Sequence, residues 1–139
     1  MRKQDAYLEH LSKVPMFTAC SKKELLQIGR TAEDVKFKAG TELITEGKVG
    51  REFFVIFDGK ARVTRNGKEI AVLGPGDYFG ELALLDRAAR NATVTTTTDM
   101  EALVLEERSF RGILQEIPSM TNKLMVGMAR RLHDLDSKT

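Results

Sequence analysis

Phe79-Gly80-Glu81-Leu82-Ala83-Leu84-Leu85-Asp86-Arg87-Ala88-Ala89-Arg90-Asn91-Ala92-Thr93-Val94 is the stretch from which the rest of the chain can be read. A glycine and a glutamate open a short helical run. Arg90 follows nine residues after Glu81, among small residues that lead into a strand. Gly80 lets the backbone approach a ligand, as only a residue without Cβ can. The first N–H groups of a helix starting near Glu81, those of Leu82 and Ala83, would face an anion. Arg90 can grip two phosphate oxygens with its planar fork. An ionised Glu81 only accepts hydrogen bonds, so it suits a sugar hydroxyl and repels a bare phosphate. The combination predicts a small ligand with one phosphate and one free sugar hydroxyl.

Around this stretch the chain divides into zones. Residues 5–33 read as helical. Tyr7, Leu8 and Leu11 share a face, Val14-Pro15 ends the first run, and Ser21-Lys22-Lys23-Glu24 has capping-box spacing before Leu25, Leu26 and Ile28. Residues 34–107 read as short strands at Val35–Phe37, Thr41–Thr45, Phe53–Phe57, Ala61–Arg65, Glu69–Leu73, Thr93–Thr98 and Ala102–Leu105, punctuated by glycine turns. Each of those glycines is read as a turn residue with positive φ, and only Gly80 as facing a ligand. Asn66-Gly67 is the clearest hairpin signal. Residues 108–117 and 118–135 return to helical spacing, with Pro118 between them. The pattern predicts a mainly β fold with flanking helices in one domain, 1–139. It comprises N-terminal helices, an eight-stranded jelly-roll barrel (a double-stranded β-helix) interrupted by a short helix, and two C-terminal helices.

Phe79, Gly80, Glu81, Arg90, Ala92 and Thr93 resemble, in identity and spacing, the phosphate-binding cassette of cyclic nucleotide-binding domains, the family of the catabolite activator protein and the regulatory subunits of protein kinase A. Gly40, Glu46-Gly47, Gly50, Gly59 and Gly74-Pro75-Gly76-Asp77 are similar to that family's barrel pattern, so the resemblance runs over roughly residues 5–135. Ala89 stands where proline is common, and Asn91 where alanine, serine or threonine is usual. The resemblance implies a binding site formed by Phe79, Gly80, Glu81, Leu82, Ala83, Arg90, Asn91 and Ala92. In it Arg90 takes the phosphate, Glu81 the ribose hydroxyl, and cAMP is preferred over cGMP because Asn91 is not threonine. The helix at 118–135, with Met120, Leu124, Met125, Met128, Leu132 and Leu135 along one stripe, is expected to act as a lid through Met125, Met128, Arg131 and Leu132. The same stripe equally suits core packing or a dimer seam, so a monomer and a dimer through this helix both stand.

Composition narrows the function classes. The 139 residues contain 22 basic and 20 acidic side chains, a balance too even for a nucleic-acid-binding surface. No apolar run approaches the length of a membrane span, and no hydrophobic signal region follows Met1-Arg2-Lys3. The single cysteine, Cys20, excludes an internal disulfide and fits a reducing, cytoplasmic setting. It reads as a small packing residue. His10 and His133 lie far apart outside the strands, so neither a metal site nor a catalytic set assembles. Arg87 reads as a solvated charge in the turn before Arg90. The chain is expected to be a binding and switching module rather than an enzyme. It needs no cofactor, and its effector is a separate protein or a fused domain. With the chain ending at Thr139, no helix-turn-helix is expected to follow the barrel. The alternatives are a degenerate member serving as a protein-interaction domain and a cGMP-preferring receptor.

Overall fold

The structure, a computed structural model, describes residues 3–85 and 88–137, apart from the side chains of Lys3, Gln4, Leu82 and Ser137. Asp86 and Arg87, the latter read above as a solvated charge, lie outside the described residues. The chain groups into two compact units, one drawn from its two ends (up to Thr31 and from Arg108) and one from Ala32 to Glu107.

Among the described residues the β unit holds eight antiparallel strands: β1 (Glu33–Phe37), β2 (Glu42–Ile44), β3 (Glu52–Asp58), β4 (Ala61–Arg65), β5 (Lys68–Leu73), β6 (Tyr78–Phe79), β7 (Thr93–Thr96) and β8 (Met100–Glu106). Their pairings form two four-stranded sheets, ordered β1-β8-β3-β6 and β2-β7-β4-β5. The described pairings close neither sheet onto the other, so the arrangement is two sheets rather than the closed eight-stranded barrel expected. Strand alternation explains the core. Phe54, Ile56, Phe79, Met100, Ala102 and Val104 of one sheet meet Ala61 and Val94 of the other, with Val35, Leu43, Ile44, Val63 and Leu73 packed against them. β6 escapes the sequence pattern because two residues are too few to show a period. The turn before it sets its place. The Gly74 N–H donates to the Asp77 carboxylate (2.8 Å), and the Gly76 N–H (φ +89°) donates to the Ile56 carbonyl (2.8 Å). These bonds lay Tyr78-Phe79 against β3. Asn66 (φ 53°) and Gly67 (φ 78°) form the expected tight turn between β4 and β5, with Arg65 opposite Lys68.

The helical unit contains α1 (Lys3–Ser12), a 3-10 turn at Pro15–Phe17, α2 (Lys22–Thr31), α3, which starts at the boundary (Glu107–Glu116), and α4 (Ser119–Ser137). The capping box of α2 forms as read: the Ser21 N–H donates to Glu24 Oε1 (2.7 Å) and the Glu24 N–H to Ser21 Oγ (3.2 Å). Glu24 also accepts from Lys123 Nζ (2.6 Å), which ties α2 to α4. Burial pushes the Glu24 carboxyl up, but the Lys123 and Ser21 hydrogen bonds outweigh it and hold the group below its usual value. The adjacent Cys20 thiol is pushed up by burial and by the Glu24 charge, consistent with an unreactive packing residue. α4 packs on Pro15–Phe17, with Gly127 at the close approach, and buries Met120 and Leu124. Beyond that contact its apolar stripe is exposed at Met125, Leu132 and Leu135.

Gly127 is what permits this approach. A Cβ there would lie 2.5 Å from the Pro15 carbonyl oxygen and 2.8 Å from that of Met16, both backbone atoms with little room to yield. Gly→Ala within a helix ordinarily gains about 1 kcal/mol. Here the steric term should prevail, and Gly127→Ala should lower stability by about 1–3 kcal/mol. Urea unfolding measures it; an unchanged or raised midpoint would refute the close packing of α4 on Pro15–Phe17.

Candidate functional site

Within the β unit, the segment leading out of β6 and the segment leading into β7 enclose a cavity of about 550 Å³. That volume falls in the range of small-ligand sites. Ile44, Val63, Leu73 and Val94 supply an apolar wall. Gly80, Glu81, Ala83, Arg90 and Asn91 supply the polar side, with Tyr78, Phe79, Ala92 and Arg65 completing it. The structure therefore brings Phe79, Gly80, Glu81, Ala83, Arg90, Asn91 and Ala92 to one cavity.

The individual roles are more differentiated. Phe79 is buried and stacks on Phe54, ring centroids 4.7 Å apart and planes 11° from parallel, so it serves first as core. Gly80 has φ +83°, a conformation that strains any other residue. The run after it, Glu81–Leu84, is a four-residue 3-10 turn rather than an α-helix. The Ala83 N–H is spent on the Gly80 carbonyl (3.1 Å), so it is not the free anion donor expected from a helix start. Leu82 lies in the same turn. Asn91 is exposed and Ala92 buried.

Arg90 is clamped at both ends. Its backbone pairs with the preceding loop: the Arg90 N–H donates to the Lys48 carbonyl and the Gly47 N–H to the Arg90 carbonyl, each at 2.8 Å. An isolated bridge between Val49 and Ala89 lies beside this pairing, at the position of the family's proline. Arg90 Nη2 donates to the Glu52 carbonyl (2.7 Å), and Nη1 makes a long contact with the Gly80 carbonyl (3.5 Å). Its Nε is buried without a hydrogen-bond partner. Burial pulls the guanidinium below its usual pKa, partly offset by the charges of Glu52 and Glu81. An arginine so placed stays cationic at neutral pH. Among the described residues no carboxylate pairs with it directly. The Glu81 carboxylate likewise forms no hydrogen bond among them. A half-buried cation without a carboxylate partner, beside a cavity and an unpartnered acceptor, is equipped to bind an anionic ligand that also carries a hydroxyl.

Sequence reasoning missed Gly50, Glu52 and Arg65. Gly50 was read as a turn glycine with positive φ, but it lies outside that region. Its missing side chain is instead filled by Arg90: a Cβ there would lie 1.7 Å from Nε and 2.1 Å from Cζ. Glu52 contributes through its backbone, which no side-chain pattern reveals. Arg65 read as an ordinary end-of-strand charge. The stripe residues Met125 and Leu132, proposed above as lid, belong to the helical unit and are exposed. Among the described residues no cluster able to hold a metal ion occurs, and no helix is long and apolar enough to cross a membrane.

Comparison with known proteins gives a consistent picture. Residues 34–117 match the family model described as cyclic nucleotide-binding domain. The chain is 36% identical over 114 residues to the cAMP-dependent protein kinase regulatory subunit of Schizosaccharomyces pombe. The match covers 81% of this chain and 28% of that protein, so the chain spans little more than a quarter of its relative's length. Among solved structures it is similar to the N-terminal domain of a transcriptional regulator from Streptomyces coelicolor A3(2) (TM-score 0.83, 29% identity, 92% of this chain and 95% of that one). It is also similar to the regulatory domain of Toxoplasma gondii PKA, solved with cAMP (TM-score 0.72, 31% identity, 80% of this chain and 44% of that one).

The dependence of Arg90 on Gly50 is testable without any ligand. Gly50→Ala should expel the guanidinium from its slot and break the bond to the Glu52 carbonyl while the sheets stay folded. The Arg90 Nε–H resonance should then move to an exposed, rapidly exchanging position. A resonance left in place would show that Arg90 does not occupy the Gly50 slot.

Proposed function

The chain belongs to the cyclic nucleotide-binding domain family, and from that premise we propose that its cavity binds a cyclic nucleotide, cAMP in preference to cGMP, and that the domain is a ligand-controlled regulatory module without catalysis of its own. The observation that carries the reading is the half-buried Arg90 guanidinium, held between Gly50 and Gly80 and paired with no carboxylate among the described residues, beside a cavity of nucleotide size. The phosphate takes Arg90. The ribose hydroxyl takes Glu81, whose carboxylate is otherwise unpartnered among the described residues. The base lies against Ile44, Val63, Leu73 and Val94. Asn91, in place of threonine, leans the site towards adenine, and the similar regulatory domain of Toxoplasma gondii PKA was crystallised with cAMP.

The effector in this reading is a partner protein or a fused domain. Met125, Met128, Arg131 and Leu132 are retained as the proposed ligand cover, since Met125 and Leu132 are exposed and methionine adapts to changing partners. Binding biases such a cover only by its differential affinity for the two states. The same stripe would otherwise join two copies of the chain. A lone cysteine agrees with action in the cytoplasm.

Arg90→Ala should weaken cyclic nucleotide binding at least about thirty-fold, because a buried charge left unpaired costs on the order of 2–5 kcal/mol. Calorimetry on both proteins reads this, with circular dichroism as the control for folding; equal affinities would sink the assignment of Arg90 to the phosphate.

Glu81→Gln should weaken binding less, since an amide still offers one acceptor to a hydroxyl. Removing the ligand's 2′-hydroxyl should cost the wild type affinity but add little to the loss in Glu81→Gln. If the two losses simply add, Glu81 does not contact the ribose.

A further inference from the structure

Glu46 carries an inference that deepens the cyclic-nucleotide reading and takes its functional meaning from it. The residue is half-buried in the loop between β2 and β3 and is engaged through both its side chain and its main chain. Its Oε1 accepts the Asn66 N–H at the tip of the β4–β5 hairpin (3.1 Å). Its own N–H donates to Thr93 Oγ1 at the start of β7 (2.9 Å). The next two residues hold the main chain of Arg90: the Gly47 N–H donates to the Arg90 carbonyl, and the Lys48 carbonyl accepts the Arg90 N–H. Three segments around the cavity therefore meet at one residue. They are the loop that holds Arg90, the hairpin whose Val63 lines the cavity wall, and the strand that follows Arg90.

The hairpin turn has no use of its own for the Asn66 N–H, because a turn's hydrogen bond runs between its first and fourth residues, here Arg65 and Lys68. That donor is free to take an acceptor from another segment, and the Glu46 carboxylate supplies it. The Arg90 fork, for its part, has one good hydrogen bond, to the Glu52 carbonyl, and one long contact to Gly80. Its aim then depends on its main chain, which is bonded to a loop, and a loop is only as fixed as its ties to the sheets. The Lys48 N–H closes that loop on Thr45 (3.1 Å), which is a local tie. Glu46 supplies long-range ones. We propose that Glu46 is a positioning residue for the Arg90 site: it holds the arginine on target for the phosphate by clasping the arginine's loop to the β4–β5 hairpin.

Calorimetry with cAMP on the whole chain tests this in the wild type, Glu46→Ala and Glu46→Gln, with thermal melts to confirm folding and the Arg90 Nε–H resonance recorded without ligand. Glu46→Ala should lose about three- to ten-fold in affinity, the size of one hydrogen bond, and should shift or broaden the Arg90 resonance. Glu46→Gln should stay within about two-fold of the wild type and leave the resonance in place, because the amide oxygen still accepts the Asn66 N–H. Wild-type affinity in Glu46→Ala would overturn the proposal. So would a loss in Glu46→Gln equal to that in Glu46→Ala, which would assign the effect to the charge rather than the clasp. A lost affinity with an unmoved Arg90 resonance would also overturn it, since Glu46 would then act by another route. A wild type that binds no cAMP would overturn the cyclic-nucleotide reading, while the ligand-free resonance would still decide whether Glu46 positions Arg90.

Discussion

The Arg90 guanidinium fits the β unit because two other residues have no side chain. Gly50 leaves the volume that Nε and Cζ occupy, and Gly80 leaves the space beside Nη1. Taking this group out of water costs free energy, and the fold offsets that cost only partly, with one good hydrogen bond to the Glu52 carbonyl and one long contact to Gly80. The remaining deficit falls on Nε, which is buried in the Gly50 slot without a hydrogen-bond partner.

Everything around Arg90 can be understood as holding that group still. The Gly47–Lys48 backbone clamps the Arg90 main chain, the Gly74–Asp77 turn delivers Phe79 and Gly80 beside β3, and Phe79 locks into the core against Phe54. The cavity's apolar wall is continuous with the same core, since Ile44, Val63, Leu73 and Val94 belong to both. Polar and apolar sides of the site are thus two faces of one packing arrangement, and rigid packing is what keeps a cation positioned for recognition.

Much of this was legible in the residues. Positive φ at Gly80, the Asn66-Gly67 hairpin and the Ser21–Glu24 capping box each depend on a few neighbouring residues whose local preferences are strong. The zones of strand and helix followed from hydrophobic period. The short helix at Glu81 did not form as an α-helix: it spans four residues, and the Ala83 N–H closes a 3-10 turn on Gly80. β6 lacked the length to show a pattern, and the strands pair as two sheets because ladder hydrogen bonding, not strand number, decides closure.

By itself the sequence determined the strand and turn punctuation, the α2 capping box, and the presence of a glycine, an acceptor and a planar cation at Gly80, Glu81 and Arg90, because each rests on local conformation or on side-chain chemistry. Only the tertiary structure decided that Gly50 is a slot for Arg90 rather than a turn glycine, that a Glu52 carbonyl receives its fork, that the Ala83 N–H is already spent, and that Arg65 reaches the same cavity. The physical reason is that these relations join residues far apart in sequence, 38 positions for Glu52 and Arg90 and 26 for Arg65 and Asn91. They run through backbone atoms and empty space, which carry no signature in the order of side chains.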